Sequence, residues 1–180
     1  MNKVIFGDCR DSMRQLIADG VKVQTCDLAY CAGVIDSGGT IGVKRSTYSM
    51  RVVGDSKQPT YSERICVKQV TPEAVDLLHH IFGGTRYYGS PGARNGKRLY
   101  VWQVTDMKAA ACLEVLLPFL RIKANHARNC LSLREIKNAS KKARVARGRG
   151  HVGSASRTVE MSTAMECHYM IAKELNRVGV

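Results

Sequence analysis

The sequence predicts an α+β domain in which a four-stranded sheet packs one face on helices. Three observations predict it. Stretches of alternating apolar and polar residues, the mark of half-buried strands, fall in two pairs, 40–46 with 62–70 and 85–88 with 98–105. A helical pattern precedes each pair, at 28–37 and at 72–82. With 44% hydrophobic and 24% charged residues over 180 positions, the chain has the composition of an ordinary globular protein with a real core.

The elements follow in order. Residues 3–7 read as a short strand, Asp11-Ser12 as the cap of a helix to Ala18, and 21–25 as a second strand. Asp27 is placed to cap a helix from Leu28 to Ser37. One stripe of that helix, Leu28, Cys31 and Ile35, suits a core. A second stripe, Ala29, Ala32, Gly33 and Asp36, is small and would let another helix backbone approach closely. Gly38-Gly39 ends the helix. Thr40–Ser46 is a strand, 54–59 a loop, and Ser62–Val70 the next strand. Thr71 then caps a helix with Pro72 in its first turn, running to Phe82 and stopped by Gly83-Gly84. Thr85–Tyr88 and Arg98–Thr105 are strands around a loop at 89–96. Helices follow over about 107–117, 123–142 and 159–176, the last after a Gly/Ser-rich stretch at 147–156.

Charge points to a partner. The formal net charge is +13, and between Arg121 and Arg157 there are eleven Lys/Arg against the single acid Glu135. A polyanion, foremost a nucleic acid, is the expected ligand, with a solvated basic face as the plainer alternative. The sheet face turned away from the helices is expected to carry Lys44, Tyr48, Arg86, Tyr88, Arg98, Tyr100 and Trp102. Cations mixed with aromatics on strands suit a duplex groove. Thr40, Ser46, Lys68, Arg94, Lys97, Lys123, Lys141 and Lys142 complete the expected DNA-binding set. No apolar run is long enough to span a membrane and no secretory leader pattern opens the chain. The seven cysteines are scattered with no Cys-x-x-Cys pair, which fits reduced buried thiols in an intracellular protein.

The stretch Tyr30-Cys31-Ala32-Gly33-Val34-Ile35-Asp36-Ser37-Gly38-Gly39-Thr40-Ile41 resembles the LAGLIDADG motif of homing endonucleases. The order of Phe82-Gly83-Gly84, Tyr100–Val104 and Leu117–Lys123 resembles that family too, over about residues 27–140. The resemblance implies a curved antiparallel sheet set as a saddle over double-stranded DNA. With one motif copy it implies a homodimer on a near-palindromic site, the motif helices packing at the two-fold axis through Ala29, Ala32, Gly33 and Asp36. It further implies Mg²⁺-dependent, site-specific phosphodiester hydrolysis, with metal held by an acidic side chain before the last Gly of the motif and by the preceding backbone carbonyl. Those positions are Gly38 and Ser37 here, so the expected acid is missing. Asp36, about 200° around the helix from Gly38, should not replace it. Lys123 matches a basic residue near the scissile phosphate, and Gln69 a polar residue that positions water. The expectation is a DNA-binding protein with impaired cleavage; a binding-only repressor or an intron RNA maturase is the alternative.

Residues 1–26 resemble the start of amino-group DNA methyltransferases: Val4-Ile5-Phe6-Gly7-Asp8 and a second strand, with no Pro-Pro-Tyr loop following. This gives an N-terminal extension at 1–26, an endonuclease domain at 27–142, a basic linker at 143–158 and a C-terminal helix at 159–180. A methyltransferase fragment binding S-adenosylmethionine is the remaining rival. His79-His80 lacks the carboxylate spacing of a metalloprotease and reads as ordinary helix.

Overall fold

The computed structural model describes residues 24–53, 56–89, 96, 98–146 and 158–177, with backbone alone at 48–53, 56–58 and 141–146. The expected elements at 3–7 and 11–18, residues 21–23 of the expected strand at 21–25, and most of the loop at 89–96 lie outside the described residues, as do Arg94, Lys97 and the linker at 147–157.

The order is α1 (Thr25–Gly38), β1 (Gly39–Val53), β2 (Ser56–Gln69), α2 (Glu73–Phe82), β3 (Thr85–Tyr88), β4 (Tyr100–Thr105), α3 (Met107–Leu116), α4 (Ala124–Ala146) and α5 (Val159–Arg177). The four strands form one antiparallel sheet in the order β1-β2-β4-β3. The chain is α+β, as the alternation predicts. Several boundaries differ from expectation. Helix α1 starts earlier, so Thr25 is helical and Asp27 sits in its first turn instead of capping it. There an acid still faces the positive end of the helix. Residues 56–59, expected in a loop, belong to β2, and 56–58 pair with β1. Pro72 itself is the N-cap of α2, and Thr71 makes no cap bond. Helix α4 continues through 143–146, four residues into the expected linker.

One sheet face meets the helices. Ile41, Ile65 and Val104 lie side by side in register, as do Val67 and Trp102, and all are buried against Ile35, Leu78 and Leu113 of the helices. Gly39 is a glycine of necessity, because a Cβ there would come within 2.9 Å of the Ile35 backbone. Its absence lets the chain turn from α1 into β1 without a gap. Gly83 and Gly84 hold φ of 64° and 91°, the left-handed region where glycine carries no Cβ penalty.

The register corrects one expectation directly. Trp102 does not face outward. It is fully buried, donates Nε1–H to the Gly83 carbonyl at 2.7 Å, and lies against Phe82. Tyr100, Tyr88 and Arg86 share its side of the sheet, since residues directly opposite one another on neighbouring strands face the same way. A large indole gains more by burial than by exposure, provided its N–H finds an acceptor. Trp102→Phe is therefore expected to lower stability by about 1–3 kcal/mol, the cost of leaving a buried carbonyl unpaired. Urea denaturation reads this. Full stability with lost nucleic-acid affinity would return Trp102 to the open face.

Helix α5 packs on α4 and on β1, the edge strand. Asn129 and His168 bond each other twice, by Asn129 Nδ2 to the His168 carbonyl at 2.9 Å and Oδ1 to Nδ1 at 2.7 Å. Tyr61 donates to Glu166, which also pairs with Arg45 at 3.2 Å. No helix among the described residues is long and apolar enough to cross a membrane.

Candidate functional site

Two regions carry the chemistry, and they meet at the C-terminal end of α1. There the Ile35 carbonyl accepts the Gly39 N–H, the carbonyls beyond it have no partner within the helix, and the helix dipole is negative. Lys123 answers both. Its ammonium donates to the carbonyls of Ile35, at 3.0 Å, and Asp36. Burial lowers the Lys123 pKa and the Asp36 charge acts against that shift. The Asp36 carboxylate, itself buried, accepts the backbone N–H groups of Arg121 (2.7 Å), Ile122 (3.2 Å) and Lys123 (2.8 Å). It thus binds the segment that leads into α4 and points away from position 38.

Gly38 is exposed at the junction of α1 and β1. A Cβ built there would lie 3.3 Å from Gln69 Nε2, so the Gln69 amide is the neighbour of any side chain at this position. Ser37 turns its hydroxyl back to the Val34 carbonyl at 3.2 Å. Gly38, Gln69, Asp36 and Lys123 therefore gather around one helix end, with Asp36 on its far side.

The donors here do not fit a Mg²⁺ ion. A hard divalent cation takes several oxygens, carboxylates above all. Position 38 offers none, Asp36 is spent on three N–H groups, and the Lys123 ammonium occupies the Ile35 and Asp36 carbonyls, which leaves the Ser37 carbonyl alone of the expected pair. No group of three or more His, Cys, Asp or Glu among the described residues is arranged to hold a metal.

The second region is the open face of the sheet. Register places Thr40, Lys44 and Ser46 of β1 there with Arg64 and Lys68 of β2 and Gln103 of β4. Thr40, Lys44 and Lys68 are exposed. Arg64 and Gln103 were absent from the sequence expectation. They bond at 2.8 Å, Arg64 Nη2 donating to Oε1, so a guanidinium and an amide are held side by side. Tyr87, also missed, is the exposed aromatic of β3 on this face, where Tyr88 had been expected.

The remaining expected DNA contacts fall elsewhere. Arg86 pairs with Asp76 of α2 and lies 5.6 Å from the Tyr100 ring. Tyr88 donates to the Tyr100 hydroxyl at 3.1 Å, and Arg98 stands 6.0 Å from the Tyr88 ring. These five, with Trp102, form a cluster at the helix side of β3 and β4. The side chains of Tyr48, Lys141 and Lys142 are outside the described residues.

The small stripe of α1 is split. Ala29 and Gly33 are exposed, with nothing within 4 Å of a Cβ at Gly33. Ala32 is fully buried in the core and Asp36 is committed to the segment before α4. The exposed line runs through Ala29, Tyr30, Gly33 and Ser37 instead. Cys31, beside it, is buried, and burial pushes its thiol up to about 12, so it is inert core. His79 and His80 are exposed helix residues.

No protein-family model and no curated protein matches this chain. Solved structures do. The homing endonuclease I-CvuI, in complex with its target in the presence of Ca, is similar at 18% identity over 84% of this chain and 91% of that one, with a TM-score of 0.50. The group I intron-encoded homing endonuclease I-CeuI, complexed with DNA, is similar at 14% identity over 88% and 84%, with a TM-score of 0.48. The strand order, the α1 helix feeding β1 and the likeness to I-CvuI give one conclusion: this chain has the LAGLIDADG homing endonuclease fold.

Proposed function

We propose that this protein is a sequence-specific binder of double-stranded DNA, acting as a homodimer on a near-palindromic site, in which phosphodiester cleavage is impaired. One observation carries the reading: an open sheet face bearing Lys44, Arg64 and Lys68 beside Gln103 and Thr40, while the helix end beside it has no carboxylate at position 38. A sheet with cations and amides on its free face can enter a major groove and meet base edges with donors. The likeness to I-CvuI, an endonuclease in complex with its target, agrees with that use of the fold. Two copies would meet through the exposed line at Ala29, Tyr30 and Gly33.

Mg²⁺ and cleavage are what the fold implies, and the metal would supply a clamp on the attacking and leaving oxygens. The residues around Gly38 do not make its ligand set, so no hydrolytic step is assigned to them.

Selection from a random duplex library tests the reading. Enrichment of a near-palindromic sequence is expected. Arg64→Ala is expected to relax preference at one base pair in each half-site, worth about 1–3 kcal/mol of discrimination. Equal weakening on all sequences would make Arg64 a phosphate contact. Binding of structured RNA in preference to duplex would favour the maturase alternative and overturn this reading.

A further inference from the structure

The final helix has no role in the reading above, and it does more than pack. The groove on the open face does not end at the edge strand. It continues over β1 to α5, where Ala172, Lys173, Asn176 and Arg177 form its outer side opposite Lys44, Arg64 and Lys68. Its volume is ≈ 550 Å³. Lys173 and Arg177 are four residues apart, on one helix face.

Three features fix this wall. Asn176 Nδ2 donates to the Ile41 carbonyl of β1 at 3.0 Å and to the Ala172 carbonyl at 2.7 Å. Gly42 lies directly under the helix: a Cβ there would stand 3.4 Å from Asn176 Nδ2, and a longer side chain would fill the space between strand and helix. Farther along, the Asn129–His168 pair and the Tyr61–Glu166 bond hold α5 to the body. The helix is thus preorganised, which limits the entropy lost on binding.

Five cations face this groove and no acid lines it. Glu174 pairs with Arg177 from outside, at 2.6 Å, and tempers that one charge. Like charges on opposite walls repel unless an anion lies between them. We infer that α5 is the outer wall of the nucleic-acid groove, and that Lys173 and Arg177 contact phosphates of the DNA strand that runs along the β1 edge. This rests on the proposed duplex-DNA binding. Contacts of this kind position the protein and carry no base information.

The test is the salt dependence of duplex affinity for the full chain, the K173Q/R177Q variant and K108Q. Lys108 is exposed on α3, outside the groove, so K108Q loses one charge without touching it. Each phosphate contact contributes a slope of about 0.9 in log K against log salt. In the proposed homodimer K173Q/R177Q removes two contacts from each subunit, so it is expected to lower the slope by between about two and four, to shrink the affinity lost between ~50 and ~200 mM salt by about ten- to a hundredfold, and to keep the parent's sequence preference. K108Q is expected to keep the parent slope. A parent that binds duplex DNA, with an unchanged slope in K173Q/R177Q or an equal fall in K108Q, overturns the wall assignment and leaves the proposed function standing. A parent that binds no duplex overturns both.

Discussion

The Gly38→Asp variant is expected to cleave, in Mg²⁺, the duplex that the parent only binds, at a rate at least ~10³-fold above the parent. A metal clamp on a transferring phosphoryl group contributes several kcal/mol, and 1.36 kcal/mol is a decade in rate. The site has room for the change. Position 38 is exposed, its φ/ψ place it in a helix end that any residue adopts, and its one near neighbour is the flexible Gln69 amide at 3.3 Å. That amide can donate to the new carboxylate. Lys123 would stand nearby as a cation for the scissile phosphate, released from two carbonyls it now holds. Cleavage is read on the selected sequence with and without Mg²⁺. Equal cutting by parent and variant would show that another group serves the metal, and would sink the reading of Gly38 as a lost ligand.

Arg134→Met is expected to destabilise the fold by about 3–5 kcal/mol, the usual result of removing one member of a buried ion pair. Glu63 of β2 is fully buried beneath the sheet, and Arg134 of α4, itself buried, donates to it and to Asp106 at 2.6 Å. Lys137 also reaches both acids, Glu63 at 3.0 Å. One Glu63 oxygen and Arg134 Nε have no hydrogen-bond partner even so. Losing Arg134 leaves a buried carboxylate with one cation instead of two. A loss under ~1 kcal/mol in urea would mean that Lys137 alone suffices, which is the usual worth of a surface pair. Acid sensitivity gives a second reading. Burial pushes the Asp106 carboxyl up, but the bonds from Lys137 and Arg134 outweigh it and hold the pKa at about 2. A depressed carboxyl stabilises the fold above its unfolded value of ~3.9, and that contribution fades as pH falls towards 2. In Arg134→Met this acid-dependent part of the stability should shrink.

How the sequence led to the fold, and where it stopped, is plain in β4. The alternation Tyr100-Val-Trp-Gln-Val-Thr105 assigns two faces correctly, since its parity survives in the register. It does not say which face meets the helices. Reading the aromatics as ligand contacts reversed the sheet there and brought Arg86, Tyr88, Tyr100 and Trp102 to the wrong side. The neighbouring strand held the answer: Ile65 and Val67 alternate with Arg64, Cys66 and Lys68, so the charged parity of β2 marks the open face. The same parity would have found Arg64 and Gln103. The motif helix was legible because its core stripe and its terminal glycines obey local rules. The split of its small stripe was not, because Ala32 and Gly33 differ only in which neighbour tertiary packing supplies. Gln69 and Lys123 were reached by resemblance, and their placement beside the end of α1 follows from β2 and the segment before α4, both distant in sequence. Asn176 on Ile41 and the role of α5 had no sequence signal, since a lone asparagine in a polar helix could bond anything.

The Asp36 carboxylate, bound to three successive amides, has a consequence for how this protein can change. The groups that look like chemistry here, Asp36 and Lys123, are fastened into the joint between α1 and α4. Position 38 carries no such duty. A residue there can come and go without loosening that joint, so on the proposed reading a single codon would separate a cutter from a silent occupant of its site, with no detour through an unstable intermediate.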